Sequence, residues 1–182
     1  PSFSYEDFME GLRPVLDGNG AAQLTLQNGV FKEFCRNAGK WEIDVCSLGL
    51  ERDWESITID ELRPHREKLS GAHWQYIFEI SDSSKLVSDA VPPFFFIIDE
   101  VNRAELSRVF GELMYCLEYR GVKGSVKTQY ANLNNEHTGM LQSDQGYLFF
   151  IPTNIYLIGT MNTIDRSVES FDFALRRRFR WE

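Results

Sequence analysis

Phe94-Phe95-Phe96-Ile97-Ile98-Asp99-Glu100 is the stretch on which the fold turns. An unbroken apolar run this short, with Pro92 and Pro93 before it and two acids after it, reads as a strand apolar on both faces. Such strands belong in the middle of a parallel sheet covered by helices. The segment after it is helical in pattern: Leu106, Val109, Phe110, Leu113, Met114 and Leu117 share one helix face, and Asn102 with Glu105 forms a capping-box-like pair. Ile155 to Met161 (IYLIGTM) is a second buried strand, ending at Asn162. Between the two, Lys127 to Ala131 and Tyr147 to Phe150 read as short strands around the polar loop Asn132 to Gln145. Asp172 caps a short helix, Phe173 to Arg178. Strand, helix, hairpin, strand, helix is the order of an α/β layered fold.

Upstream, Phe3 to Gly11 reads as a short helix with Ser4 as N-cap and Asp7 at its third position. Arg13 to Asp17 and Gln23 to Leu26 flank Gly18-Asn19-Gly20 as a hairpin. Val30 to Ala38 is a helix with Val30, Phe31, Phe34 and Cys35 on one face. Lys40 to Val91 is the least legible part. Pro64 interrupts the charged Asp60 to Leu69, and Trp74 to Ile80 (WQYIFEI) alternates as a strand does. This part carries no catalytic pattern and reads as an insertion. Its tryptophans, Trp41, Trp54 and Trp74, are expected to mark core packing.

Composition narrows the function. The 182 residues hold 19 Lys+Arg against 27 Asp+Glu, a formal net charge of −8. That balance argues against a broad nucleic-acid-coating surface. No apolar run is long enough to span a bilayer. Cys35, Cys46 and Cys116 form no CxxC pair, so neither a disulfide framework nor a zinc site is indicated, and a reduced cytoplasm is the default. His65, His73 and His137 have no ligand spacing. The chain opens on Pro1 rather than Met, and with Glu182 directly after an arginine-rich stretch it reads as a piece of a longer protein.

Three constellations carry chemistry. The first is the acid pair Asp99-Glu100, because open parallel sheets bind ligands beyond the carboxyl ends of their strands. Asp99 can hold a magnesium ion, and Glu100 can orient and polarise the water that attacks a γ-phosphate. The second is Gly159 to Ser167 (GTMNTIDRS). If its strand neighbours the first, Asn162 lies beside the acids, within reach of that water or of the γ-phosphate, with Asp165 and Arg166 just beyond. The third is Ala174 to Arg180 (ALRRRFR), a cluster of permanent cations whose planar forks suit phosphate. Singly, each has an ordinary reading: a solvated strand end, a turn, and a helix C-terminus complemented by cations. Their order along the chain is that of a nucleotide-hydrolysing module.

FFFIIDEVNRAELSRVFGELM, IPTNIYLIGTMNTIDRS and FDFALRRRF together closely resemble the AAA+ domain of the McrB-type GTPase subunits of 5-methylcytosine-specific restriction systems. SFSYEDFMEGLRP and GVFKEFCRNA resemble the same family, so the resemblance covers residues 1–39 and 93–182 and leaves out Lys40 to Pro92. It implies a parallel-sheet P-loop NTPase (AAA+) core, incomplete and with hairpin insertions, in three parts: 1–39, the insertion 40–92, and 93–182. It implies that Asp99 and Glu100 are the Walker B acids, with Mg2+ on Asp99. Asn162 becomes sensor 1, with Asp165 near the attacking water. Arg176 and Arg177 become the arginines that reach a neighbouring subunit's nucleotide, and Arg166 a further candidate for subunit contacts and nucleotide binding. The family further implies GTP, a homo-oligomeric ring of hexameric type, a McrC-like endonuclease partner, and DNA contact through a domain outside these residues. ATP stays open, because no residue here selects guanine. The GxxxxGK[ST] phosphate loop does not occur in the chain. The resemblance places it before Pro1 and a helical lid after Glu182, so these residues alone are expected not to turn over nucleotide. Two other readings compete: a non-hydrolysing AAA-like interaction module, and a MoxR-like ATP-dependent chaperone that shares the DEVNRA-like stretch.

Overall fold

The structure is a computed structural model that describes residues 4–16, 18, 20–50, 52–101, 110–111, 113–144, 146–161 and 176–182. Helix α1 (Tyr5–Phe8) begins at Ser4, whose hydroxyl accepts from the Asp7 amide as an N-cap should. It is shorter than its sequence pattern, because Glu10 already enters a strand. Strands β1 (Glu10–Leu16) and β2 (Ala22–Asn28) pair antiparallel, Leu12 opposite Leu26 and Leu16 opposite Ala22. Gly20, at φ 79°, supplies the left-handed turn that closes this hairpin. The hairpin is buried only at its base and projects into solvent, with Leu16 and Leu24 exposed.

Helix α2 (Val30–Ala38) has the expected bounds. Its buried face is Phe31, Lys32, Cys35 and Ala38, while Val30 is exposed. That face is therefore rotated from the expected one, and the reason is electrostatic. Lys32 is drawn inward by an ion pair with the buried Glu10 at the hairpin base, and its ammonium also donates to Asn134 Oδ1 at 2.6 Å. Asn134 in turn donates to Glu10 at 3.0 Å, and the Tyr130 amide donates to it at 3.1 Å. A buried charge pair survives when its remaining lone pairs are met in this way. Burial pushes the Glu10 carboxyl up, but Lys32, Thr128 and Asn134 together outweigh it and hold the group below its usual range.

The segment after α2 is helical. It contains α3 (Lys40–Cys46), α4 (Ile59–Leu62), α5 (Ala72–Ile80) and α6 (Val87–Ala90), with 3-10 turns at Trp54–Ser56 and Arg63–Leu69. The expected strand at Trp74 to Ile80 is thus a helix. Trp74, Ile77 and Phe78 fall at i, i+3 and i+4 and are buried together, which a strand would not allow. These helices enclose a core of their own around Trp41, Trp54, Ile57, Leu62, Trp74 and Ile77. All three tryptophans expected to pack are buried.

Strand β3 (Phe94–Ile98) pairs parallel with β6 (Ile155–Gly159), register Phe94 to Ile155 through Ile98 to Gly159. Between them lie α7 (Leu113–Glu118), β4 (Leu141–Ser143) and β5 (Gly146–Leu148), the last two paired antiparallel. Lys127 to Ala131 is not a strand: Val126 makes one bridge to Phe149, and the chain then turns into a 3-10 helix at Ala131–Leu133. The second core joins one side of the β3–β6 pair to α1, α2 and α7 through Phe8, Phe31, Phe110 and Phe149, with Phe94, Phe96 and Ile98 packed on it. The other side differs from expectation. Phe95 and Ile97 are 56% and 65% exposed, and Tyr156 and Ile158 beside them are 56% and 45% exposed. Alternate residues of a strand point to opposite faces, and among the described residues helices cover only one of them.

Candidate functional site

The site grows from the β3–β6 register. Because Ile98 lies opposite Gly159, the residues that leave the sheet together are Asp99 and Thr160. The Thr160 amide donates to the Ile98 carbonyl at 3.0 Å, and the Val101 amide donates to the Thr160 carbonyl at 2.8 Å, so the two chains stay paired past the strand ends. The Thr160 hydroxyl donates to Asp99 Oδ1 and accepts from the Glu100 amide at 3.1 Å. Among the described residues Asp99 Oδ2 has no partner, and the Asp99 side chain is exposed. One bound and one open carboxylate oxygen at a strand's carboxyl end suits a hard cation such as magnesium, which binds through one or two carboxylates.

Glu100 has φ 52°, and it is the non-glycine residue found in the left-handed region among the described residues. A side chain there costs about 1–3 kcal/mol and persists only where surroundings fix it. Here they do so through the Thr160 hydroxyl on the Glu100 amide and the buried Val101 that follows. The left-handed backbone at Glu100 breaks the strand direction just where the sheet ends.

The condition set for the second constellation is met: β3 and β6 are neighbours. Asn162, Asp165 and Arg166 lie outside the described residues, as do Asp172 and the start of its helix. The described chain does bring the segment leading to Asn162 against the acids, through Thr160. Thr160 itself was not singled out from sequence. The signal was there: aligning the two strand ends puts the hydroxyl of GTMN against the acids of IIDE.

The arginine cluster separates by environment. Arg178 donates to Glu118 at the end of α7 at 2.8 Å, and only 11% of its side chain is exposed. Phe179 beside it packs on the core. With those two residues anchored, Arg176 and Arg177 are left exposed. The Arg176 guanidinium lies 5.9 Å from the Trp181 ring centre, and the Trp181 indole donates to the Arg176 carbonyl at 2.8 Å. Arg177 makes no ion pair among the described residues.

Away from the acids, Glu42 on α3 is buried, and its carboxylate accepts from the Val122 amide at 2.7 Å and the Thr153 amide at 3.5 Å. Gly121 makes room for it: a Cβ there would come within 2.6 Å of the Glu42 carboxylate, on a backbone at φ 78°. Asn154, at the amino-terminal end of β6, donates to the Ala38 carbonyl at 3.0 Å and the Pro92 carbonyl at 3.3 Å. The helical segment is therefore fixed to the end of the sheet opposite the acids. No cluster of three or more histidine, cysteine, aspartate and glutamate side chains that could hold a metal occurs among the described residues, and no described helix is long and apolar enough to cross a membrane.

A parallel strand pair ending in acids, with a polar residue of the neighbouring strand bound to them, is a nucleotide-handling arrangement of α/β proteins. Residues 65–179 match the AAA domain (dynein-related subfamily), and the chain belongs to that family. Over 180 residues it is 32% identical to the Type IV methyl-directed restriction enzyme EcoKMcrB subunit of Escherichia coli (strain K12). That match takes in 98% of this chain, the helical segment included, and 25% of the relative, so the chain spans about a quarter of the length of the protein it matches.

Proposed function

We propose that the chain is the central part of a magnesium-dependent nucleoside-triphosphatase of the AAA+ type that serves a McrBC-like restriction system. The observation that carries this reading is the register of β3 on β6, which sets Asp99 and Glu100 against the start of GTMNTIDRS. Asp99 would hold magnesium through Oδ2, and the ion would offset charge on the phosphates. Glu100, turned off the strand, orients and polarises the attacking water. Asn162 hydrogen-bonds that water or the γ-phosphate, and Asp165 stands near it. Arg176 and Arg177 extend from an anchored base toward the nucleotide of the next subunit in a homo-oligomeric ring of hexameric type, with Arg166 at the subunit contact. GTP is the nucleotide favoured, with ATP the alternative. A McrC-like endonuclease subunit, DNA held by another domain, and the cytoplasm complete the setting. Residues 40–92 form a helical segment that packs at the end of the sheet opposite the acids.

The test is Glu100→Gln in the full-length protein, with nucleotide binding and turnover measured side by side for GTP and ATP. Binding is expected to remain and turnover to be lost. Wild-type turnover would remove Glu100 from the mechanism. Absence of turnover in the wild-type protein with both nucleotides would favour the non-hydrolysing interaction module.

A further inference from the structure

We propose that Thr160 is a positioning residue for the acid pair, acting through its hydroxyl on Asp99 and on the backbone of Glu100 at once. The inference rests on the reading of Asp99 and Glu100 as the magnesium-holding and water-orienting acids.

The geometry gives one hydroxyl two jobs. As a donor it occupies Asp99 Oδ1. A carboxylate on a short side chain rotates about χ2, and a bond to one oxygen fixes the plane of the group and so the direction of the other. Oδ2, which has no partner among the described residues, is thereby held as the oxygen left for a cation. As an acceptor the same hydroxyl takes the Glu100 amide at 3.1 Å. Glu100 sits at φ 52°, a conformation that an L side chain rarely holds without support. The Thr160 carbonyl adds a third tie by accepting from Val101, and Val101 is 5% exposed and anchored in the core.

The placement follows from strand register rather than from a flexible loop. Thr160 is the first residue after β6, and its own amide is bonded to the last residue of β3 at 3.0 Å. The hydroxyl is therefore carried on backbone held at both its N–H and its C=O. Sites built on paired strand ends keep their geometry more closely than sites on free loops. Threonine also suits the position better than serine: its β-branch restricts χ1, so the hydroxyl loses less freedom in making both bonds.

A residue that only positions others should leave nucleotide affinity largely alone and act on the chemical step and on magnesium. The test uses the full-length protein with Thr160→Val, which keeps the shape and removes the hydroxyl, and Thr160→Ser, which keeps the hydroxyl. Thr160→Val is expected to lower kcat by about tenfold or more, the scale of losing hydrogen bonds to a charged group. It should raise the magnesium concentration for half-maximal rate and leave KM for nucleotide within about twofold of wild type, the size of an uncoupled effect. Thr160→Ser should recover most of kcat and the wild-type magnesium dependence.

If Thr160→Val does not fold, Thr160→Ala against Thr160→Ser isolates the hydroxyl, and thermal melts of every variant show how much is folded. A hydroxyl needed only for stability would lower melting temperatures and leave kcat and magnesium dependence per folded molecule unchanged, which would overturn the proposal. Glu100→Gln serves as the control. If it turns over normally, the reading of the acids fails. If it is inactive while Thr160→Val behaves as wild type, the role of Thr160 alone fails.

Discussion

Arg177 and Arg178 are adjacent in sequence and opposite in circumstance. Arg178 is seated against Glu118 with 11% of its side chain exposed, whereas Arg177 is exposed with no ion-pair partner among the described residues. Arg176 is intermediate: exposed, but with its guanidinium over Trp181. A guanidinium that is to reach another molecule's phosphate must not already be spent on its own chain, and by that criterion Arg177 is the better-placed finger of the two exposed arginines. In the full-length protein Arg177→Ala is expected to keep nucleotide binding and to lower kcat by on the order of a thousandfold, the scale on which an inserted arginine acts in phosphoryl transfer. If the proposed ring forms, adding a variant that carries Arg177 but lacks Glu100 should partly restore its rate, because mixed assemblies would set an intact finger beside an intact acid. Arg178→Ala should behave differently and lower stability by about 1–3 kcal/mol through a half-buried charge-assisted hydrogen bond. Turnover assays on mixed proteins, set beside denaturant melts of each variant, separate the two. Equal effects of the two substitutions on kcat and on stability would erase the distinction.

Helix α3 shows how an element can be held by one side chain and how that hold responds to pH. Burial pushes the Glu42 carboxyl up to about 7 from 4.5, against the amides of Val122 and Thr153, which draw it down, while Glu55 nearby adds to the rise. A carboxyl raised on folding binds its proton more tightly in the folded chain. Its contribution is therefore present in full below about pH 4.5 and is lost as pH rises through about 7, a change worth up to about 3 kcal/mol. Denaturant melts are expected to show stability falling between about pH 4.5 and about pH 7, with Glu42→Gln flattening that fall. A profile unchanged by the substitution would dismiss Glu42 as its source. Elements differ in how far the sequence announces them. Helix α2 and β3 were legible to the residue, because apolar periodicity and apolar runs are local signals, whereas β6 ends two residues before its pattern and its pairing with β3 entered only as a condition. The face of α2 was not, because Lys32 turns inward toward Glu10 and Asn134, which lie 22 and 102 residues away in sequence. Helix α5 was misread as a strand because its aromatic and β-branched residues favour strands locally, while packing around Trp74 decides for helix. The acid pair was legible from its strand. The hydroxyl that ties it emerges only once the two strand ends are set side by side, because Thr160 follows β6, 60 residues on.

At the scale of the whole molecule the described residues close two cores and leave one apolar face open. The helical core packs at the amino-terminal end of the β3–β6 pair, the aromatic core fills one of its sides, and the other side shows Phe95 stacked on Tyr156 at 5.4 Å with Ile97 beside Ile158. Parallel sheets are ordinarily buried on both faces, and a patch of large apolar side chains left uncovered by the described residues invites association. The 182-residue chain produced on its own is therefore expected to self-associate. Ile97→Lys should return it toward monomer with little change in melting temperature, since Ile97 is 65% exposed and loses no packing. Phe96→Lys, one residue away, points to the other face, where its ring lies 5.0 Å from both Phe31 and Phe34, so the same charge there should abolish cooperative folding. Light scattering on the eluting peak, with thermal melts of both variants, reads the two outcomes together. A wild-type chain that is monomeric at every concentration would show that the open face does not drive association. Equal tolerance of both lysines would contradict the strand's two-faced burial.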